Sequence, residues 1–126
     1  MTDYLSLEDL LEIAAAIIPC VQVRDLGLLA SAAARPRMSV FGDDAYPSLT
    51  EKAAAICHSV VRNDALVDGN KRLAWSATRV FLLINGHDIA YDIDDAEALI
   101  LAAARGELDV AALATDLAAH LRTTEQ

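Results

Sequence analysis

Apolar residues recur at helical spacing along most of the chain, and the runs break at proline, glycine and aspartate. Leu7, Leu10, Leu11, Ala14, Ile17 and Ile18 form a first stripe, spaced three and four residues apart as one helix face requires. Ser6 opens it, with Asp9 three residues on in a capping-box position, and Pro19 ends it. Tyr4-Leu5 before this helix and Val21-Gln22-Val23 after it read as short extended segments. Asp25 caps a second helix carrying Leu28, Leu29, Ala32 and Ala33. That helix stops before Pro36, since the residue ahead of a proline avoids helical geometry.

Arg35 to Pro47 is the least regular part. Alternation from Met38 to Phe41, followed by Gly42-Asp43-Asp44, predicts a hairpin or flap. An ordinary helix connection is the alternative, although about a dozen residues is long for one. Ser48 with Glu51 makes a second capping box. Its helix turns Leu49, Ala53, Ile56, Cys57, Val60 and Val61 inward and leaves His58 on the other face, a surface position near Ala54 and Arg62. A third long helix starts near Asn70 and ends at Asn85-Gly86. His87 to Tyr91 reads as a short strand with Tyr4-Leu5 as its expected neighbour. Asp94 or Asp95 caps a helix through Ala104, Gly106 breaks it, and Leu108 to Leu121 is a last amphipathic helix with His120 solvated.

Together these elements predict an all-α fold: a compact helical bundle with a small β-hairpin or flap. At 126 residues and 55% hydrophobic, residues 1–126 make one domain able to bury a single core. The net charge of −9 argues against a general nucleic-acid or anionic-membrane surface. No apolar run approaches a membrane span, and Asp3, Glu8 and Asp9 are unlike the basic start of a signal peptide. Cys20 and Cys57 sit in apolar settings, as buried reduced thiols of a cytoplasmic protein do. The expected location is the cytoplasm, without direct nucleic-acid or membrane contact.

One stretch has a different composition. Asn63-Asp64-Ala65-Leu66-Val67-Asp68-Gly69-Asn70-Lys71-Arg72 joins the two central helices and holds carboxylates, a glycine and a Lys-Arg pair. Glycine lets backbone N–H groups converge, and a helix start offers free N–H groups and a positive dipole end to an anion. Lys71 adds charge and Arg72 a fork for phosphate oxygens. Asp-Gly is also a common turn, and a Lys-Arg pair is also an ordinary solvated surface. Two cations at a helix start oppose the macrodipole by a few tenths of a kcal/mol or more, which favours an anion there.

The segment Asp64 to Arg72 resembles the signature of the Fic/Doc family, His-x-Phe-x-Asp-Gly-Asn-Lys-Arg, and matches it fully from Asp68 to Arg72. Arg24 to Leu29, Ala34-Arg35-Pro36-Arg37, Tyr46-Pro47, Glu51 to Ala54 and Phe81 to Gly86 resemble its small death-on-curing (Doc) branch. The resemblance implies an ATP- and Mg²⁺-dependent toxin that transfers the γ-phosphate to a hydroxyl of elongation factor Tu. A Phd-type antitoxin would restrain it, with its C-terminal helix in a groove. Asp68 would hold Mg²⁺, Gly69 and Asn70 would cradle phosphates, and Lys71 and Arg72 would clamp them. The flap, Ser39, Val40, Phe41 and Tyr46 among its residues, would dock the target.

Leu66 stands where the family has Phe, a conservative packing change. Asp64 stands where it has the histidine that takes the hydroxyl proton. Protein kinases use an aspartate for that task, yet a carboxylate reaches less far and is a weaker base than imidazole at neutral pH. Beside a triphosphate it would add about 4 kcal/mol of repulsion at about 4 Å and an effective dielectric near 20. Catalysis impaired or altered at Asp64 is therefore expected. An adenylyltransferase moving AMP is one alternative, disfavoured by Lys71, where those enzymes usually have glycine. A non-catalytic module that binds nucleotide or antitoxin is the other.

Overall fold

A computed structural model describes residues 1–124. These form six helices and two small antiparallel hairpins: α1 (Leu7–Ile17), α2 (Leu26–Ala34), β1 (Ser39–Val40), β2 (Asp43–Asp44), α3 (Leu49–Asn63), α4 (Asn70–Ile84), β3 (His87–Ile89), α5 (Ile93–Ala104), α6 (Val110–Ala119) and β4 (Leu121–Thr123). Both capping boxes form, Ser6 with Asp9 and Ser48 with Glu51. Each satisfies N–H groups that a helix start otherwise leaves open. No helix among the described residues is long and apolar enough to cross a membrane.

α3 is the centre. It packs against α4, α6, α2 and α5, so Ala53, Ala54, Ala55, Ile56 and Cys57 are all buried. Small side chains on several faces let four neighbours approach. Burial pushes the Cys57 thiol up to about 11, which leaves it inert at neutral pH. Phe81, Leu10, Leu73 and Leu113 complete the core around this axis. Leu66, from the loop before α4, is fully buried there, so the loop is anchored by packing.

α2 ends at Ala34, but Arg35 keeps helical geometry (φ −56°, ψ −44°) and a 3-10 turn, Arg35–Arg37, carries the chain through Pro36, against the expected extended residue there. The connection after it is a hairpin. Ser39 pairs with Asp44 and Val40 with Asp43, and the tip residues Phe41 (φ 52°) and Gly42 (φ 85°) both take positive φ, as a two-residue hairpin turn requires. Lys52, only 3% exposed, ties the hairpin to α3 through Asp44 Oδ2 at 3.1 Å and the Tyr46 carbonyl. Arg35 holds Tyr46 from below, Nε to the hydroxyl at 2.8 Å.

Several expectations are corrected. β3 pairs with β4, His87 opposite Thr123, and not with Tyr4-Leu5. That N-terminal segment instead fastens to the end of α4, where Asn85 Oδ1 accepts the Asp3 N–H at 2.8 Å. α6 ends at Ala119, with His120 as its C-cap. His120 is not simply solvated, because its ring stacks on Tyr91 at 3.8 Å. α5 begins after Asp92, so Asp94 and Asp95 lie inside its first turn, where their charge suits the dipole. Cys20 is exposed, in a turn at φ 51°. His58 is half-buried, its Nδ1 3.0 Å from Arg35 Nη1. A guanidinium can only donate, so the imidazole accepts. Burial first, then Arg35 and Arg62, lowers the His58 pKa and keeps the ring neutral.

Asp88 closes the β3 end of α4. It takes both Arg79 Nε (3.0 Å) and Nη2 (3.1 Å), and the Arg79 bond holds its carboxyl below the usual carboxylate range. A depressed carboxyl stabilises the fold above its unfolded value and loses that contribution as pH falls through the folded one. Asp88→Asn is expected to cost about 1–2 kcal/mol at pH 7, discounted for the half-exposed Arg79. Urea unfolding at pH 7 and below about 4 should show the difference from the parent shrinking toward acid. A difference that grows there would contradict this assignment.

Candidate functional site

The residues between α3 and α4 fold as a closed loop. Asp64 caps α3 in left-handed geometry, φ 58° and ψ 43°, an arrangement Asp tolerates better than most residues. The chain then runs antiparallel beside Gln22 to Asp25. Val67 N donates to Gln22 O at 3.0 Å and Arg24 N to Ala65 O at 2.8 Å, around a Val23–Leu66 bridge. The extended segment read at Val21-Gln22-Val23 is thus the loop's partner.

Asn70 binds the loop from inside. Its Oδ1 accepts the Leu66 N–H at 3.0 Å, and its Nδ2 donates to Leu66 O at 3.0 Å and Asp64 Oδ1 at 2.9 Å. Asn70 is therefore a loop clamp through its side chain, beyond the backbone role expected of it. Arg24 grips the outer side, its Nη2 2.6 Å from Asp64 O and 2.7 Å from Asp64 Oδ2. Both oxygens of Asp64 are thus engaged.

Gly69 opens α4 at φ 92° with no side-chain cap. A Cβ at that position would lie 2.5 Å from Ile18 Cδ1, so glycine is required by backbone and by space. Among the described residues the N–H groups of Asn70, Lys71 and Arg72 have no partner. That of Gly69 is taken by Asp68 Oδ1 at 2.9 Å, so it does not join the free cradle as expected. Lys71 and Arg72 are exposed, and neither forms an ion pair among the described residues. Asp64, Asp68, Gly69, Asn70, Lys71 and Arg72 all line one cleft of about 570 Å³. This is the group the sequence singled out.

Arg62 and Ala104 line it too. Arg62 was read as part of the outer face of its helix; a cation two residues before a phosphate-type loop in an acidic chain was the available signal. The hairpin is placed elsewhere, and none of its residues line the cleft. Ser39, Val40 and Phe41 are exposed and Tyr46 is half-buried. The hook at Lys52 lies twelve residues before Asp64 on α3, about 18 Å along the axis.

The described residues contain no group of three or more His, Cys, Asp or Glu placed to hold a metal. Mg²⁺ needs no such cage, since it is commonly bound by one or two carboxylates together with substrate phosphates. Asp68 fits that pattern. It is exposed on the rim of the cleft, with one oxygen on the Gly69 N–H and the other without a protein partner among the described residues.

Gly69→Ala is expected to destabilise the fold by about 1–3 kcal/mol, combining positive-φ strain with the clash. Adding Ile18→Ala should not restore the parent's stability, because the φ strain stays. Thermal unfolding of the single and double variants measures this, and a single variant as stable as the parent would refute it.

Comparison with known proteins places the chain in a family. A family model described as "Fic/DOC family" matches residues 4–82, a span that runs from the first extended segment through the loop to most of α4. A protein named "Toxin Doc" from Mycolicibacterium smegmatis is 49% identical over 121 residues, covering 94% of this chain and 93% of its own. With a family match across more than half the chain and a relative 49% identical over nearly all of it, the protein belongs to the Fic/DOC family.

Proposed function

We propose that this chain is the toxin of a toxin–antitoxin pair, a Doc-type enzyme that moves the γ-phosphate of ATP to a hydroxyl of elongation factor Tu and so blocks translation. The observation that carries the reading is the uncapped start of α4 with Lys71 and Arg72 unpaired beside it. Two free cations there cost stability unless an anion rewards them. The name of the 49% identical relative, "Toxin Doc", supports the toxin half of the reading.

The phosphates would lie over the N–H groups of Asn70, Lys71 and Arg72, with Arg72 forked on their oxygens. Asp68 would hold Mg²⁺, which when bound offsets phosphate charge. The target hydroxyl gives up its proton, its oxygen takes the γ-phosphoryl group, and ADP leaves. Asp64 stands where the proton goes. Held by Arg24 and Asn70, it is turned toward them, though a carboxylate keeps further lone pairs to accept with. Transfer is slowed by this arrangement, not barred. The hairpin with its exposed Phe41 would dock the target, and about five extended residues span from its base to Asp64.

A second cleft, of about 920 Å³, has Trp75, Tyr91 and Ile100 among its lining and Lys71, Arg72 and Arg79 on its edge. It is the groove for the helix of a Phd-type antitoxin. Lys71 and Arg72 line both clefts, so an acidic helix seated there would compete for the phosphate clamp.

The double anchoring of Asp64 also favours a second reading, a non-catalytic nucleotide-binding module. Incubating the parent and Asp64→His with ATP, Mg²⁺ and the elongation factor separates the two. Both should transfer phosphate, the histidine form faster by about 10²–10⁴-fold. Absence of phosphoprotein from Asp64→His would refute phosphotransfer, and a mass gain of AMP would select adenylylation. ATP bound calorimetrically by the parent but never turned over would select the non-catalytic module.

A further inference from the structure

Arg62 belongs to the cleft but not to the loop. It stands in the last turn of α3, and its Nη1 donates to the Ala104 carbonyl at the end of α5 at 2.7 Å. Gly106 makes room for it: a Cβ there would lie 3.2 Å from Nη1 and 3.4 Å from Cζ and Nη2. The guanidinium therefore rests in a seat that any side chain at position 106 would crowd. One hydrogen bond is used in fixing it, and a guanidinium carries five N–H donors in a rigid fork.

The chain has 19 acidic and 10 basic side chains, yet no carboxylate pairs with Arg62 among the described residues. Of the two aspartates in the same cleft, Asp64 is paired with Arg24 and Asp68 with the Gly69 N–H. Arg62, Lys71 and Arg72, three of those ten Lys and Arg side chains, face one cleft. They reach it from separate elements, the end of α3 and the start of α4.

We infer that Arg62 is a third phosphate ligand of this cleft, one that selects a chain of phosphates over a single one. A monophosphate held at the start of α4 satisfies Lys71 and Arg72. A ligand with further phosphates can engage Arg62 as well, a cation of the same cleft fixed against the end of α5. The fork is already oriented by Ala104 and Gly106, so little entropy is lost when it binds. This deepens the nucleotide reading of the same cleft and rests on it for the identity of the ligand.

Calorimetric titration with ATP, AMP and inorganic tripolyphosphate at constant Mg²⁺ tests it on the parent, Arg62→Gln and Arg62→Lys. Arg62→Gln is too short to reach Ala104 O, so it gives up one exposed hydrogen bond and should fold with an unfolding temperature a few degrees below the parent's. It should bind ATP and tripolyphosphate at least tenfold more weakly and AMP within about twofold of the parent. Arg62→Lys, with charge but no fork, should fall between. Unchanged tripolyphosphate binding in Arg62→Gln, or an equal loss for all three ligands, would overturn the assignment. So would ATP binding at the parent's strength by a folded Arg62→Lys if Arg62→Gln does not fold. Tripolyphosphate binding that depends on Arg62, in a parent that ignores both nucleotides, would leave the subsite standing and remove the nucleotide reading. A parent that binds none of the three removes both.

Discussion

Asn70 holds the loop between the central helices shut with one side chain, on Leu66 N, Leu66 O and Asp64 Oδ1. A connection of six residues that buries Leu66 must satisfy the polar groups on either side of it. The amide and the short pairing with Gln22 to Asp25 do that from within the protein. What they leave over is as important as what they close. Among the described residues the N–H groups of Asn70, Lys71 and Arg72 stay free, on a helix whose first residue is held by the same amide. A rigid array of free donors with two cations beside it is preorganised for an anion, and little ordering remains to be done on binding.

Charge is distributed to the same effect. The chain carries a net −9, yet its basic side chains are not spread to balance it. Some are committed to structure: Lys52 under the hairpin, Arg35 against Tyr46 and His58, Arg79 on Asp88. Arg24 is committed to Asp64, which removes much of that carboxylate's repulsion of an incoming phosphate. Arg62, Lys71 and Arg72 line one cleft, and among the described residues none of the three pairs with a carboxylate, Arg62 spending one N–H on the Ala104 carbonyl. On the proposed reading, the net charge of −9 would disfavour extended polyanions such as nucleic acid, while the cations of one small cleft would still attract a compact polyphosphate at short range.

Much of this was legible in the sequence. Both capping boxes, the hairpin at Met38 to Phe41 and the start of α4 all follow from local chemistry. The loop stood out for the same reason, since a glycine, an asparagine and two cations in a row at a helix start are locally visible, although each also has an ordinary turn or surface use. Partners distant in sequence were not. Arg24 and Asp64 are forty residues apart, and nothing local distinguishes that pairing from any other in a chain with 19 carboxylates. β3 found β4 instead of Tyr4-Leu5 because α6 returns the chain to its edge, a decision of packing. Gly106 reads as a helix breaker and is one, but its second role as the seat of Arg62 exists only once α3 and α5 are packed together.

Backbone amide NMR tests the central claim most directly, that the start of α4 is a polyphosphate grip. Titration of the parent with ATP and Mg²⁺ should move the amide resonances of Asn70, Lys71 and Arg72 furthest, with those at Leu83 and Ile84 at the other end of the helix little changed. Resonances at the start of α4 that stay in place at saturating nucleotide, or shifts confined to the groove beside Trp75 and Tyr91, would contradict it.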